Sequence, residues 1–209
     1  MMRRFLALWM LAWAPRLSAG DGPPPERDLG QGLVYVRIRE LPADLPAKPA
    51  GKVPACVIDV RYVRASPEAA TAFSAWLRFR ATMRSPVLVL ANRETSAELR
   101  QALRPPRPGS GMVVIGIARA DFEPDVAVKA TAEEEQAAYD ALDRGMPLAR
   151  LLTDNPDKVR IDEASLARER PPPPPGDEPP AGKTAAPVVD AVLQRAVHLH
   201  RALLALRRS

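Results

Sequence analysis

The sequence predicts an α/β protein with a mostly parallel sheet. Two observations carry this. Three short, continuous apolar runs, ACVIDV (55–60), PVLVLA (86–91) and GMVVIGIA (111–118), have the length and apolar character of strands buried on both faces. Between them lie two segments with helix signals, SPEAATAFSAWLRFRATMR and TSAELRQALR. Strand, helix, strand, helix, strand in this order implies parallel pairing through right-handed crossovers.

Each element has its own local cause. LVYVRIREL (33–41) alternates Val34, Val36 and Ile38 with Tyr35, Arg37 and Arg39, the pattern of a strand with one solvated face. A Pro-rich loop follows, and then the central strand ACVIDV. The next helix has Ser66 as N-cap, Pro67 at its first position and Glu68 in its first turn. Ala69, Ala72, Phe73, Trp76, Leu77 and Met83 make its apolar stripe, which is core packing. After PVLVLA, the pattern TSAE predicts a capping box with Thr95 as cap and Glu98 reaching back. FEPDVAVKA is a short extended piece. TAEEEQAAYDALDRG is a helix capped by Thr131 and Glu134 and ended by Gly145. Residues 146–170 suggest helical fragments and loop, and residues 171–184, PPPPPGDEPPAGKT, form a stiff linker. Residues 185–209 form a C-terminal amphipathic helix whose seam runs through Val189, Val192, Ala196, Leu199, Leu203 and Leu206. That seam is a candidate surface for docking on its own domain, a protein partner or a second copy.

Residues 1–20, MMRRFLALWMLAWAPRLSAG, have the layout of a secretory signal peptide: two arginines, an apolar run, a proline and small residues. The expected protein is exported, periplasmic or secreted, with no transmembrane segment in the mature chain. Its one cysteine, Cys56, lies in an apolar run and is expected to be a buried core residue. With 30 Lys+Arg against 25 Asp+Glu, and no basic stripe interleaved with aromatics, nucleic acid is not the expected partner. There is no phosphate loop, no dinucleotide glycine fingerprint and no metal-spaced His/Cys cluster. His198 and His200 diverge around their helix. No cofactor and no metal are expected. Asp59 and Arg61, at a strand end, suit a salt bridge or a loop cap.

Four of these pieces, taken in order, resemble the catalytic core of the tail-specific, or C-terminal processing, serine peptidases. GLVYVRIREL, ACVIDVRY, PVLVLANRETSAELRQAL, and MVVIG with FEPDVAV are each similar to a family strand or motif, across residues 32–142. The resemblance implies a ClpP/crotonase-like core of ββα units over residues 32–170. It also implies a serine at a helix start, a lysine base and an oxyanion hole near a glycine pair. The candidate nucleophiles are Ser96 and Thr95. No glycine follows Asp59 in VRYVRASPEAA, the hairpin bearing the lysine is missing, and Lys129 lies beyond the Pro-Asp-Val motif. The sequence therefore favours an exported, non-catalytic peptidase-like protein that acts by binding or assembly, with Thr95 as a cap. The alternatives are a residual serine hydrolase using Ser96 or Thr95, or a subunit that pairs with an active relative.

Overall fold

The computed structural model describes residues 26–47, 53–83, 85–104, 111–152 and 187–207. The expected signal peptide, the linker at 171–184 and the end of the core segment beyond residue 152 lie outside the described residues. A six-stranded sheet organises the chain. Its strands stand in sequence order: β1 (Arg27–Asp28), β2 (Leu33–Arg37), β3 (Ala55–Asp59), β4 (Val87–Leu90), β5 (Met112–Gly116) and β6 (Val126–Ala127). Only β1 runs antiparallel to its neighbour. β2 to β6 are parallel throughout.

Helices cover both faces. α1 (Pro67–Thr82) and α2 (Ala97–Ala102) lie on one, where Phe73, Trp76, Leu77, Leu99 and Leu103 pack with Val36, Ile58, Val89 and Val114. α3 (Ala132–Asp143), α4 (Leu148–Leu151) and α5 (Ala191–Leu206) cover the other, where Leu142, Leu151, Leu193 and Val197 pack with Leu33, Tyr35, Val57, Leu88 and Ile115. The period of two along each strand sends alternate residues into the two cores. Gly116 is where β5 comes close to its neighbour: a Cβ there would collide with the Ala91 carbonyl oxygen.

The helix starts at Ser66 and Thr131 follow the sequence signals, including the full Thr131–Glu134 capping box. Three expectations are corrected. β2 has no solvated face, because Tyr35 is as buried as Val36 and Ile38, and Arg37 is only 9% exposed. The second layer of helices covers the side on which the sequence places polar residues. Thr95 is not the cap of α2. Ser96 is, its hydroxyl accepting from the Leu99 amide at 3.5 Å, and the Thr95–Glu98 box does not form. The C-terminal helix begins at Ala191, not at 185, and its seam is rotated. Val192, Leu193, Ala196, Val197 and His200 are buried, Leu199 and Leu203 are half-buried, and Leu206 is 73% exposed. The helix docks on β4 and β5 of its own sheet. Among the described residues no helix is long and apolar enough to cross a membrane.

Candidate functional site

Parallel strands end together, and their carboxyl ends are where open α/β sheets build sites. Here the loops after β3 and β4 meet the start of α3. With the segment after β5 they border an open cavity of 860 Å³ whose wall includes Tyr62, Asn92, Arg119, Glu135, Gln136 and Asp140.

Beneath it lies a buried charged cluster. Arg61, two residues past the end of β3, is fully buried. Its guanidinium donates to Asp59 (Nε to Oδ1 3.0 Å, Nη2 to Oδ2 2.7 Å) and to Asp190 (Nη1 to Oδ1 3.1 Å, Nη2 to Oδ2 2.8 Å). Two carboxylates thus use four of its five N–H bonds. Burial works against the charge of Arg61, but Asp190 and Asp59 outweigh it and hold the guanidinium protonated. The Tyr35 hydroxyl donates to Asp59 Oδ2 at 2.8 Å, and burial, reinforced by the Asp59 charge, raises the phenol well above its usual range. Asp190 also accepts from the Leu193 amide, so the residue that caps α5 is also a ligand of Arg61.

Glu135 is the third carboxylate. Its side chain is 5% exposed, and its Oε1 stands 3.9 Å from Arg61 Nη1, beyond hydrogen-bond reach. Oε2 accepts from Asn92 Nδ2 at 3.2 Å, while Oε1 has no hydrogen-bond partner. Burial pushes the Glu135 carboxyl up, and Arg61 and Asn92 oppose that only in part. Tyr62 lies alongside with φ +62°, in the left-handed region that a bulky residue enters only under constraint. Burial, then the Glu135 charge, raises its phenol. Its ring packs on Tyr139 at 4.6 Å between centroids, and Arg37 lies over the other ring 3.5 Å from its centroid.

The two hydroxyls singled out in the sequence sit apart from this cavity. Thr95 is buried; its Oγ1 accepts from the Asn92 amide at 3.1 Å and donates to the Val60 carbonyl at 3.0 Å. Asn92 Oδ1 in turn accepts from the Thr95 and Tyr62 amides. Ser96 closes the first turn of α2 and donates its own amide to the Val63 carbonyl. Lys129 is exposed and lines a different cavity, between α3 and the start of α5. His200 is at the amino-terminal end of the sheet, its Nε2 3.1 Å from the Gln31 carbonyl. Asp59 and Arg61 form the salt bridge that suits a strand end, but with a partner 129 residues away in Asp190.

Sequence reasoning missed Asn92, Glu135, Tyr62 and Asp190 as one constellation. Glu135 stands in a run of three glutamates at a helix start, which resembles a solvated first turn. Only the position of α3 against the strand ends turns its third member inward. No group of three or more His, Cys, Asp or Glu is arranged to hold a metal among the described residues. Comparison with known proteins found no matching family model, no similar curated protein and no similar solved structure.

Proposed function

We propose that the chain is an exported, non-catalytic protein with a ClpP/crotonase-like, tail-specific-peptidase-like core, acting by binding in the cavity at the strand ends. The observation that carries this is the fate of the groups a serine peptidase would need. The Thr95 hydroxyl is buried, with the Val60 carbonyl at 3.0 Å and Asn92 Oδ1 at 3.3 Å to accept its proton, and the Ser96 hydroxyl accepts from the helix it caps. The Tyr62 amide, at the point where the family's oxyanion donors would begin, is bonded to Asn92 Oδ1 at 3.3 Å. A nucleophile without a base stays protonated and weak at neutral pH.

The parallel order of β2 to β5 and the left-handed Tyr62, which stands where the family strand LILDLRG ends in glycine, support the kinship. The alternative of a residual hydrolase through Ser96 or Thr95 makes the opposite prediction. A fluorophosphonate probe applied to the purified mature protein is expected to leave it unlabelled. Stoichiometric labelling that disappears in Ser96→Ala or Thr95→Ala would establish the hydrolase instead.

A further inference from the structure

The cavity and the cluster beneath it share a charge imbalance. Three buried carboxylates, Asp59, Asp190 and Glu135, face one guanidinium, Arg61. Asp59 and Asp190 hold that guanidinium through bonds of 2.7–3.1 Å. Glu135 is left with an oxygen that has no hydrogen-bond partner although its side chain is only 5% exposed. Buried polar atoms are nearly always satisfied, and an unsatisfied one calls for a reason. Glu135 is also in the wall of the 860 Å³ cavity, beside the Tyr62 ring and the Asp140 carboxylate. A cavity of this size takes a small organic molecule.

We propose that the cavity binds a small molecule carrying a protonated amine, with Glu135 as its anionic acceptor. The ammonium supplies the positive charge that the cluster lacks, and the Glu135 carboxylate turns toward the cavity to give it Oε1, which in the unliganded chain is closed off 3.9 Å from Arg61 Nη1 without a hydrogen bond. A charge-assisted bond of this kind is about twice as strong as a neutral one. The half-buried Tyr62, in the wall of the cavity, offers an aromatic ring whose quadrupole favours a cation. The carboxylates are not arranged as a metal site among the described residues, so an organic cation fits where a metal ion does not. The amine head is held at depth, and the rest of the ligand extends toward the rim, where Arg119 and Arg144 lie exposed.

The inference rests on the chain being a binding protein. The test titrates the purified mature protein by calorimetry with leucinamide and with tyramine, each against its N-acetyl form. Acetylation removes the charge and keeps the body of the molecule. At least one amine is expected to bind saturably in the millimolar range or tighter, with affinity at least tenfold above its N-acetyl form and at least tenfold weakened in Glu135→Gln. Equal binding of amine and N-acetyl form, unchanged affinity in Glu135→Gln, or no saturable binding of either amine would overturn the proposal. The first comparison uses the unaltered chain and does not depend on how the variant folds. Failure here leaves an inert serine standing, whereas fluorophosphonate labelling strikes at the absence of catalysis and not at the ligand.

Discussion

At Thr95 one hydroxyl links two turns: it accepts from the Asn92 amide and donates to the Val60 carbonyl, both buried. Thr95→Val keeps the shape and orphans the Asn92 amide, while the Val60 carbonyl still accepts from the Val63 amide at 3.2 Å; a buried orphan costs about 1–3 kcal/mol. Ser96→Ala removes one long cap bond of 3.5 Å and is expected to cost about 0.5 kcal/mol, the low end for a cap. Urea unfolding of the two variants decides; a Ser96→Ala loss equal to that of Thr95→Val would show that the cap has been undervalued here. The sequence made both residues visible and interchanged their roles. TSAE fits a capping box by spacing alone, but the Thr95 amide and hydroxyl are tied back to Asn92 and Val60, and the helix starts one residue later with Ser96 as cap. Glu135 has a pH signature. Its folded carboxyl is raised above the unfolded value by burial, against Arg61 and Asn92 and alongside Asp190 and Asp59. An acid shifted upward holds its proton in the native state, so stability falls as pH rises from the ordinary carboxylate range through the raised value. Glu135→Gln is therefore expected to melt higher than the parent at pH 8, with the gap closing near pH 4. A gap that widens on acidification would reverse the sign.

At the scale of elements, β2 to β5 were legible because each is a short, apolar-rich run, and the helix starts at Ser66 and Thr131 because their caps are local chemistry, whereas β1, the exposed polar pair Arg27–Asp28, carries no such signal. What could not be read was which faces the helices cover. The alternation in VYVRIR signals a solvated face only if nothing lies over it, and α3 and α5, which begin at Ala132 and Ala191 far along the chain, do lie over it. The same ignorance rotated the C-terminal seam. Val189, Val192, Ala196, Leu199, Leu203 and Leu206 fit a heptad stripe, whereas docking on a sheet buries a broader face centred on Leu193, Ala196 and Val197. Hydrogen exchange separates the two. Leu193→Asp, with Val197→Asp, is expected to remove protection across Ala191–Leu206, while Leu206→Asp leaves it unchanged. Loss of protection in Leu206→Asp would restore the heptad seam.

Over the whole molecule, α5 finishes the second core and also completes the ion cluster. Val192, Leu193, Ala196 and Val197 cover Leu33, Tyr35, Val57 and Leu88, and Asp190 fills half of the Arg61 fork. The backbone follows the same route, since the Asp190 amide donates to the Leu151 carbonyl and so joins α4 to α5. Removing this segment therefore costs more than the burial of its side chains, about 1.5–3 kcal/mol for each Val or Leu. It also takes from Arg61 the two charge-assisted bonds to Asp190 and leaves Asp59 as its hydrogen-bonded carboxylate. A chain ending at residue 186 is expected to lose its cooperative unfolding transition. A synthetic peptide of residues 187–207, added in trans, is expected to restore it, because the surface it leaves presents the apolar face of the second core and the unfilled half of the Arg61 fork. The same peptide with Asp190→Ala keeps the apolar face and loses the ligand of Arg61. Its apparent affinity is expected to fall at least tenfold, which separates the electrostatic contribution from the apolar one. An unchanged transition in the shortened chain, followed by circular dichroism, would mean that the sheet and its first layer of helices fold without their second cover.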